Sequence, residues 1–265
     1  MSESTLDVAS PTASMSVSVV VLVGILAGFL SGLFGVGGGI LIVPGLVLVA
    51  RMDQRMAHGT SLASVLPIAA SSMVTYWAHD HIDWGAVLFL AVGAVAGAVL
   101  GTKLLQVLPH RTLGVAFAVL LLASAARLFI ADSGTGRDDL DLVMALTLVL
   151  IGVVTGILAG LLGVGGGIIM VPAMMMIFGI PPVIAKGTSL GVIIPTSVMG
   201  TWRNRTKKNV DFRAAAIVGV AGILAAIAGG TLSARMSDSL SNLLFAVLLT
   251  VVAIRLLLQL RNEKR

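Results

Sequence analysis

Two short polar motifs interrupt an otherwise apolar chain, and their residue types are those that bind small anions. The first motif is AHGTSL, which begins at Ala57, and the second is AKGTSL, which begins at Ala185. Thr and Ser hydroxyls donate hydrogen bonds, Lys carries a positive charge, and His can acquire one. A helix start adds free N–H groups and a partial positive field. The motifs therefore predict an anion site whose candidate side chains are His58, Thr60, Ser61, Lys186, Thr188 and Ser189.

Each polar motif follows a glycine-rich stretch that the chain contains twice. GLFGVGGGILIVP spans residues 32–44 and GLLGVGGGIIMVP spans residues 160–172, with 10 of 13 positions identical. Clustered glycines break an apolar helix, and backbone groups freed in lipid cost several kcal/mol unless protein or a polar cavity surrounds them. Interrupted helices at matching places in two halves mark the substrate site of a transporter. The backbone candidates are Gly35, Gly37, Gly38, Gly39, Gly163, Gly165, Gly166 and Gly167.

The elements that hold these motifs are predicted to be membrane helices. The 265 residues are 57% hydrophobic and 11% charged, with a mean hydropathy of +1.07. Residues 17–33, 86–101 and 142–162 contain no charged residue, which suits helices that cross about 30 Å of hydrocarbon in about 20 residues. The abundance of glycine and alanine favours closely packed helices over a β-barrel. The predicted fold class is an all-α polytopic membrane protein.

An internal repeat organises the whole chain. Adding 128 to a residue number carries Gly24 onto Gly152 and Asp83 onto Asp211, with no net insertion between the halves. Each half contains about five hydrophobic segments, of which the second is too short to cross the membrane comfortably, and whether it crosses or turns back is left open. The segments are 17–34, 38–50, 58–79, 84–107 and 111–130, then 141–162, 166–178, 183–202, 212–232 and 240–259. The predicted organisation is a tail at 1–16, repeats at 17–130 and 141–260, a linker at 131–140 and a tail at 261–265.

Charged loops predict that the two repeats have inverted topologies. The equivalent of the basic loop after the eighth segment is YWAHDHID, which has no Lys or Arg. Placing basic loops and the C-terminus in the cytoplasm requires equivalent loops to face opposite sides of the membrane. The basic residues behind the net charge of +5 are therefore expected to bind anionic lipid and to set the orientation of the chain in the membrane, not to bind nucleic acid. The basic loop contains Arg203, Arg205, Lys207, Lys208 and Arg213.

Several features of the sequence argue against other classes of protein. The acidic N-terminal tail lacks the basic residues of a signal peptide, so the first apolar run is predicted to be a retained helix. There is no Cys, and His58, His79 and His81 do not make a metal set, so no cofactor, metal or enzymatic activity is expected.

The candidate site residues also have structural interpretations. The glycine clusters have an alternative role in helix packing. Thr60 and Thr188 have the alternative of bonding back to their own helix, and Lys186 that of extending to the membrane interface.

The doubled G-x-x-G-V-G-G-G-x-x-x-V-P, followed in each half by A-x-G-T-S-L, resembles the sulfite exporter TauE/SafE family of membrane transporters. The resemblance covers nearly the whole chain. It implies two homologous halves and transport of sulfur-containing anions such as sulfite, sulfoacetate and related organosulfonates across the bacterial plasma membrane. The glycine clusters and the Thr-Ser pairs correspond to the family's motifs. The two halves differ at one motif position, which is His58 in the first half and Lys186 in the second.

The mechanism expected from this sequence is alternating access around a central anion site between inverted halves. The expected partners are the small anion and membrane lipid, with oligomeric state left open. Transport of another small carboxylate or inorganic anion, and a scaffold that transports nothing, are the alternatives. The identity of the anion, the direction of transport and any coupling ion are also left open.

Overall fold

A computed structural model describes residues 17–104, 115, 118, 119, 121–126 and 141–262, and all regular structure within these ranges is helical. Its helices follow the predicted segments, which confirms the all-α fold class. Of the predicted fifth segment, residues 121–126 are helical, while the linker at 131–140 and the N-terminal tail lie outside the described residues. The helices are α1 Val17–Phe34, α2 Gly39–Leu48, α3 Gln54–Trp77, α4 Trp84–Leu104, α5 Leu142–Leu162, α6 Gly167–Phe178, α7 Pro182–Thr206, α8 Phe212–Arg235 and α9 Asp238–Asn262.

Six of these helices are long and apolar enough to cross a membrane: α1, α4, α5, α7, α8 and α9. Their outward faces carry exposed apolar side chains such as Leu88 and Leu224, which suits contact with lipid. In contrast, α2 has 10 residues and α6 has 12, so each is about 15–18 Å long and extends through about half of a bilayer core. The chain is thus a multi-pass membrane protein with one short helix in each half.

Aspartate residues fix where several helices begin. The carboxylate of Asp211 accepts hydrogen bonds from the N–H groups of Arg213 and Ala214 at the start of α8. Its equivalent in the first repeat, Asp83, accepts one from Ala86 at the start of α4. Each cap satisfies N–H groups that the first turn of a helix leaves free. The two repeats therefore start their fourth helix in the same way.

Glycine rows bring a helix of one half against a helix of the other. A Cβ built at Gly28 in α1 would lie 2.2 Å from the carbonyl oxygen of Gly222 in α8. In the equivalent pair, a Cβ at Gly156 in α5 would lie 2.1 Å from the oxygen of Ala94 in α4. Such separations exclude any side chain, so the backbones pack directly, as small-residue rows in membrane helices allow. The halves are consequently interleaved rather than side by side.

The centre of the bundle is formed by α3 and α7, which occupy equivalent places in the two repeats. Leu62 near the start of α3 packs against Gly200 near the end of α7, and Tyr76 near the end of α3 packs against Gly187 near the start of α7. The two helices therefore run antiparallel. As a result, the α3–α4 loop and the equivalent basic α7–α8 loop lie at opposite ends of this pair.

Candidate functional site

Both glycine clusters form sharp breaks between a long helix and a short one. The chain leaves the right-handed helical region at Gly35, which has φ 68°, and its equivalent Gly163 has φ 67°. The two glycines that precede each short helix also have positive φ values of 75–85°, and the short helices begin at Gly39 and Gly167. Residues that have a Cβ rarely adopt such positive φ values, which explains why glycine occupies these turns. We refer to residues 35–38 and 163–166 as the glycine loops.

The two glycine loops pass one another in opposite directions. A Cβ at Gly39 would lie 2.7 Å from the Cα of Val164, and one at Gly167 would lie 2.9 Å from the Cα of Val36. The start of α2 therefore abuts the second loop, and the start of α6 abuts the first. Two helix N-termini, each with a partial positive field, meet at one place in the molecule.

This meeting point lies at the middle of the central helix pair. Val65, midway along α3, and its equivalent Ile193 in α7 both contact the positions where Gly37 and Gly165 would carry a side chain. A Cβ built at Gly37 would lie 3.2 Å from the nearest side-chain carbon of each of these two residues. The site predicted from the sequence is thus placed at the centre of the bundle.

The backbone N–H groups at this point have no partners within the part of the chain that the structure describes. Those of residues 36–40 and 164–168 donate neither to a backbone carbonyl nor to a side chain. The first of these stretches is buried throughout, and the second from residue 165 onwards. A buried N–H group without a partner costs about 1–3 kcal/mol, so such groups call for water or a ligand. Two sets of five such donors therefore lie at the two abutting helix starts, where the field is positive.

The predicted serine and threonine residues join the two halves around the loops. Ser61 donates its hydroxyl hydrogen to the carbonyl oxygen of Gly163 at 3.0 Å, and Ser189 donates to that of Gly35 at 2.6 Å. Each serine thus holds the glycine loop of the other repeat. Ser189 Oγ also lies 2.7 Å from the carbonyl oxygen of Lys186 in its own helix, so in this conformation the hydrogens of both serines are committed to backbone carbonyls.

The threonines make a second reciprocal pair of contacts. Thr60 accepts a hydrogen bond from the N–H of Asp211, and Thr188 accepts one from the N–H of Asp83, both at 2.9 Å. Neither hydroxyl bonds back to its own helix among the described contacts, and each keeps its own hydrogen for another acceptor. Ligand contact by these four hydroxyls stays a prediction.

Lys186 breaks the symmetry of the site. Its side chain is 1% exposed and does not extend to the surface. Nζ donates to Ser241 and, at 3.1 Å, to Ser233, and it lies 5.7 Å from the ring centroid of Phe34. Asp238 is the acidic residue that acts on it electrostatically. The ammonium group is therefore held by hydroxyls close to the turn at Gly35, whose built Cβ would lie 2.6 Å from the Cα of Lys186.

Sequence reasoning did not identify Ser233 or Ser241 as partners of Lys186. These serines lie 47 and 55 residues farther along the chain, in α8 and α9, and no repeat relationship or spacing connects them to the lysine. His58, the equivalent of Lys186, has its Cα against the turn at Gly163. The structure therefore places both predicted residues beside the loop of the opposite repeat.

Two further histidines lie at the end of α3 that is near the start of α7. His79 and His81 stack in the α3–α4 loop with ring centroids 5.9 Å apart. Burial lowers the pKa of His81 below its usual value, and the neighbouring His79 lowers it further. Within the described ranges no cluster of three or more His, Asp or Glu residues is arranged to hold a metal ion.

Comparison with known proteins agrees with this architecture. The sequence profile described as sulfite exporter TauE/SafE matches the chain twice, over residues 8–147 and 148–265. The chain is 28% identical over 255 residues to the probable membrane transporter protein YunE of Bacillus subtilis, covering 87% of this chain and 92% of that protein. It is 30% identical over 231 residues to a probable membrane transporter protein of Xylella fastidiosa, covering 84% and 88%. The chain belongs to the sulfite exporter TauE/SafE family of membrane transporters.

Proposed function

We propose that this protein transports a small sulfur-containing anion, such as sulfite, sulfoacetate or a related organosulfonate, by alternating access across the bacterial plasma membrane. The observation that carries the proposal is that ten backbone N–H groups, those of residues 36–40 and 164–168, lie at two abutting helix starts without a partner among the described residues. Such groups bind an oxyanion because they supply donors and a positive field without a bulky side chain. The family to which the chain belongs supports the class of substrate.

The electrostatics around the loops favour an anion over a cation. Both short helices direct their positive ends at the meeting point, and a buried lysine lies beside one of the turns. The carboxylates of Asp83 and Asp211 cap helices at the ends of the bundle, away from its middle. Asp238 adds a negative charge near the lysine, but two positive helix ends and the ammonium group outweigh it, and in a region of low dielectric this balance favours a negative ligand over a metal ion.

Transport of sulfite and sulfoacetate by the purified protein tests this function. Proteoliposomes loaded with either radiolabelled anion are expected to release it, and a potential that is negative inside should accelerate release. Each 100 mV contributes about 2.3 kcal/mol per unit charge, which supports a gradient of about fiftyfold for a monovalent anion without a coupling ion. Parallel assays use liposomes loaded with radiolabelled acetate or phosphate in place of the sulfur anions. If they are carried and the sulfur anions are not, the substrate class is wrong, and if nothing is carried the proposed function is wrong.

Alternating access requires two halves that open to opposite sides, and we propose that the repeats are inverted in the membrane. The antiparallel packing of the equivalent helices α3 and α7 supports this, as does the concentration of basic residues in the α7–α8 loop. In this proposal α1 packs against α8 and α5 packs against α4, and each of these helix pairs moves relative to the central pair α3 and α7. This arrangement places the C-terminus in the cytoplasm.

Labelling of single cysteines tests the inversion directly, because the native chain has no cysteine. Ala78→Cys and Thr206→Cys replace exposed, equivalent residues at the ends of α3 and α7. In intact cells a membrane-impermeant maleimide should label Ala78→Cys, whereas Thr206→Cys should react only after the membrane is opened. The unsubstituted chain is the background control. Labelling of both positions from the same side would show that the repeats are parallel.

A further inference from the structure

Two buried hydroxyls on α7 have no hydrogen-bond partner among the residues that the structure describes. They are Ser197 Oγ and Thr201 Oγ1, one helical turn apart on the same face of the helix. The side chain of Ser197 is completely enclosed, with 0% exposure. A buried hydroxyl without a partner costs about as much as a lost hydrogen bond, so its retention needs a reason.

Other buried hydroxyls in these helices show how such a group is normally satisfied. Thr196 donates to the carbonyl oxygen of Val192 at 2.8 Å, and Ser64 donates to that of Thr60 at 2.9 Å. Both are bonds to the residue four positions earlier, which Ser and Thr commonly make in membrane helices. Ser197 is immediately next to Thr196 and makes no such bond. Its hydroxyl is therefore available to a group that does not belong to the described part of the chain.

The fold does not need a hydroxyl at this position. The equivalent residue in the first repeat is Ala69 on α3, which is also completely buried and packs in an apolar cluster. The equivalent of Thr201 is Met73. Because the same helix position packs well with an alanine in the other half, the serine is not explained by packing.

Ser197 lies at the depth of the glycine loops. It follows Ile193 by one turn on the same face, and Ile193 contacts the built Cβ positions of Gly37 and Gly165. Leu62 packs against Gly200 in the antiparallel pair, so residue 197 lies opposite Val65, which contacts the same two glycines. The free hydroxyl is thus carried on the helix face that meets both loops.

We infer that Ser197 is a specificity-determining residue of the anion site and donates a hydrogen bond to an oxygen of the bound anion. This inference rests on the proposed function. The glycine loops supply donors from two opposed stretches of backbone, and Ser197 adds a donor from a third element, α7. Donors from three elements can each meet one of the three oxygens of a pyramidal sulfonate or sulfite group, whereas a planar carboxylate has only two. The serine therefore favours sulfur oxyanions over carboxylates.

The test compares methanesulfonate with acetate, which differ only in the head group. Inhibition of sulfite transport by each anion is measured for the native protein, Ser197→Ala and Thr196→Val, with thermal unfolding in detergent recorded with and without methanesulfonate. Thr196→Val is the matched control, since it removes an adjacent buried hydroxyl that already has a partner. Ser197→Ala should weaken methanesulfonate about tenfold and acetate much less, because a hydrogen bond to a charged group is lost only for the sulfonate.

The unfolding temperature separates a ligand role from a structural one. Without ligand, Ser197→Ala should unfold at the native temperature or above it, because an unsatisfied hydroxyl is removed, while the stabilisation by methanesulfonate should shrink. Equal loss of acetate and methanesulfonate, or a lower unfolding temperature with an unchanged ligand effect, would overturn the role of Ser197 and leave the proposed function standing. If the native protein neither transports sulfite nor responds to methanesulfonate, the proposed function and this inference both fail.

Discussion

Gly39→Ala is expected to reduce anion transport by about hundredfold or more. A Cβ at this position would lie 2.7 Å from the Cα of Val164 and 2.8 Å from the carbonyl oxygen of Gly163. These are backbone atoms of the opposite loop and cannot move aside like a flexible side chain. The added methyl group therefore forces the loops apart, and a displacement of about 1 Å in positioned donors costs about 10²-fold in processes that depend on their geometry. The measurement is the initial rate of sulfite efflux from proteoliposomes.

The matched control is Gly191→Ala in α7. The nearest atoms to a Cβ at Gly191 are side-chain methyl groups of Val87, the closest at 3.0 Å, and these can shift by a few tenths of an ångström. Transport by this variant should stay close to native. Overpacking at Gly39 also costs about 1–3 kcal/mol of stability, so both variants are compared at a temperature well below their unfolding transitions. Native rates for Gly39→Ala would contradict the assignment of the site to the loops.

Lys186→Met is expected to weaken anion binding about tenfold without destabilising the empty protein. The ammonium group is enclosed and held by Ser233 and Ser241, so its hydrogen bonds run to neutral groups. An enclosed charge that is not neutralised by direct contact costs several kcal/mol, and a methionine of similar length avoids that cost. Its field, by contrast, stabilises a nearby anion by about 1–2 kcal/mol at the effective dielectric of a protein. Concentration dependence of sulfite efflux and thermal unfolding without ligand measure the two effects.

A control of opposite sign is available at Asp238, the acidic residue that acts on Lys186. Asp238→Asn removes a negative charge from the same neighbourhood, so anion binding should be unchanged or tighter. If Lys186→Met lowers the unfolding temperature and leaves the affinity for sulfite unaltered, the lysine is a structural tie between α7, α8 and α9. Weaker binding in both variants would show that disturbance of this cluster matters and its charge does not.

Much of the fold follows from local properties of the chain. Apolar runs such as residues 142–162 predict membrane helices because lipid requires every backbone group to bond within its own segment, and α5 has these bounds. The breaks at residues 35–38 and 163–166 follow from clustered glycines, and the capping role of Asp211 from its type and place. The doubling follows from sequence identity at one offset, and the family profile matches twice.

Other features arise only in the folded molecule because they join residues far apart in the sequence. The bond from Ser61 to Gly163 spans 102 residues and that from Ser189 to Gly35 spans 154, so each repeat completes the loop of the other. Hydrophobic periodicity and composition identify which helix faces are buried, but not which helix they pack against. They therefore could not show that Lys186 is enclosed by serines of α8 and α9 rather than extended to the interface.

The sequence by itself determined an apolar, duplicated, helix-forming chain with two glycine interruptions, since these depend on the preferences of neighbouring residues. Only the tertiary structure decided that both interruptions meet at the middle of the antiparallel α3–α7 pair. It also decided that Ser197 has no hydrogen-bond partner in the described part of the chain while the adjacent Thr196 is satisfied. The physical reason is that the environment of a buried polar group is set by the packing of distant segments, and no local pattern in the chain records it.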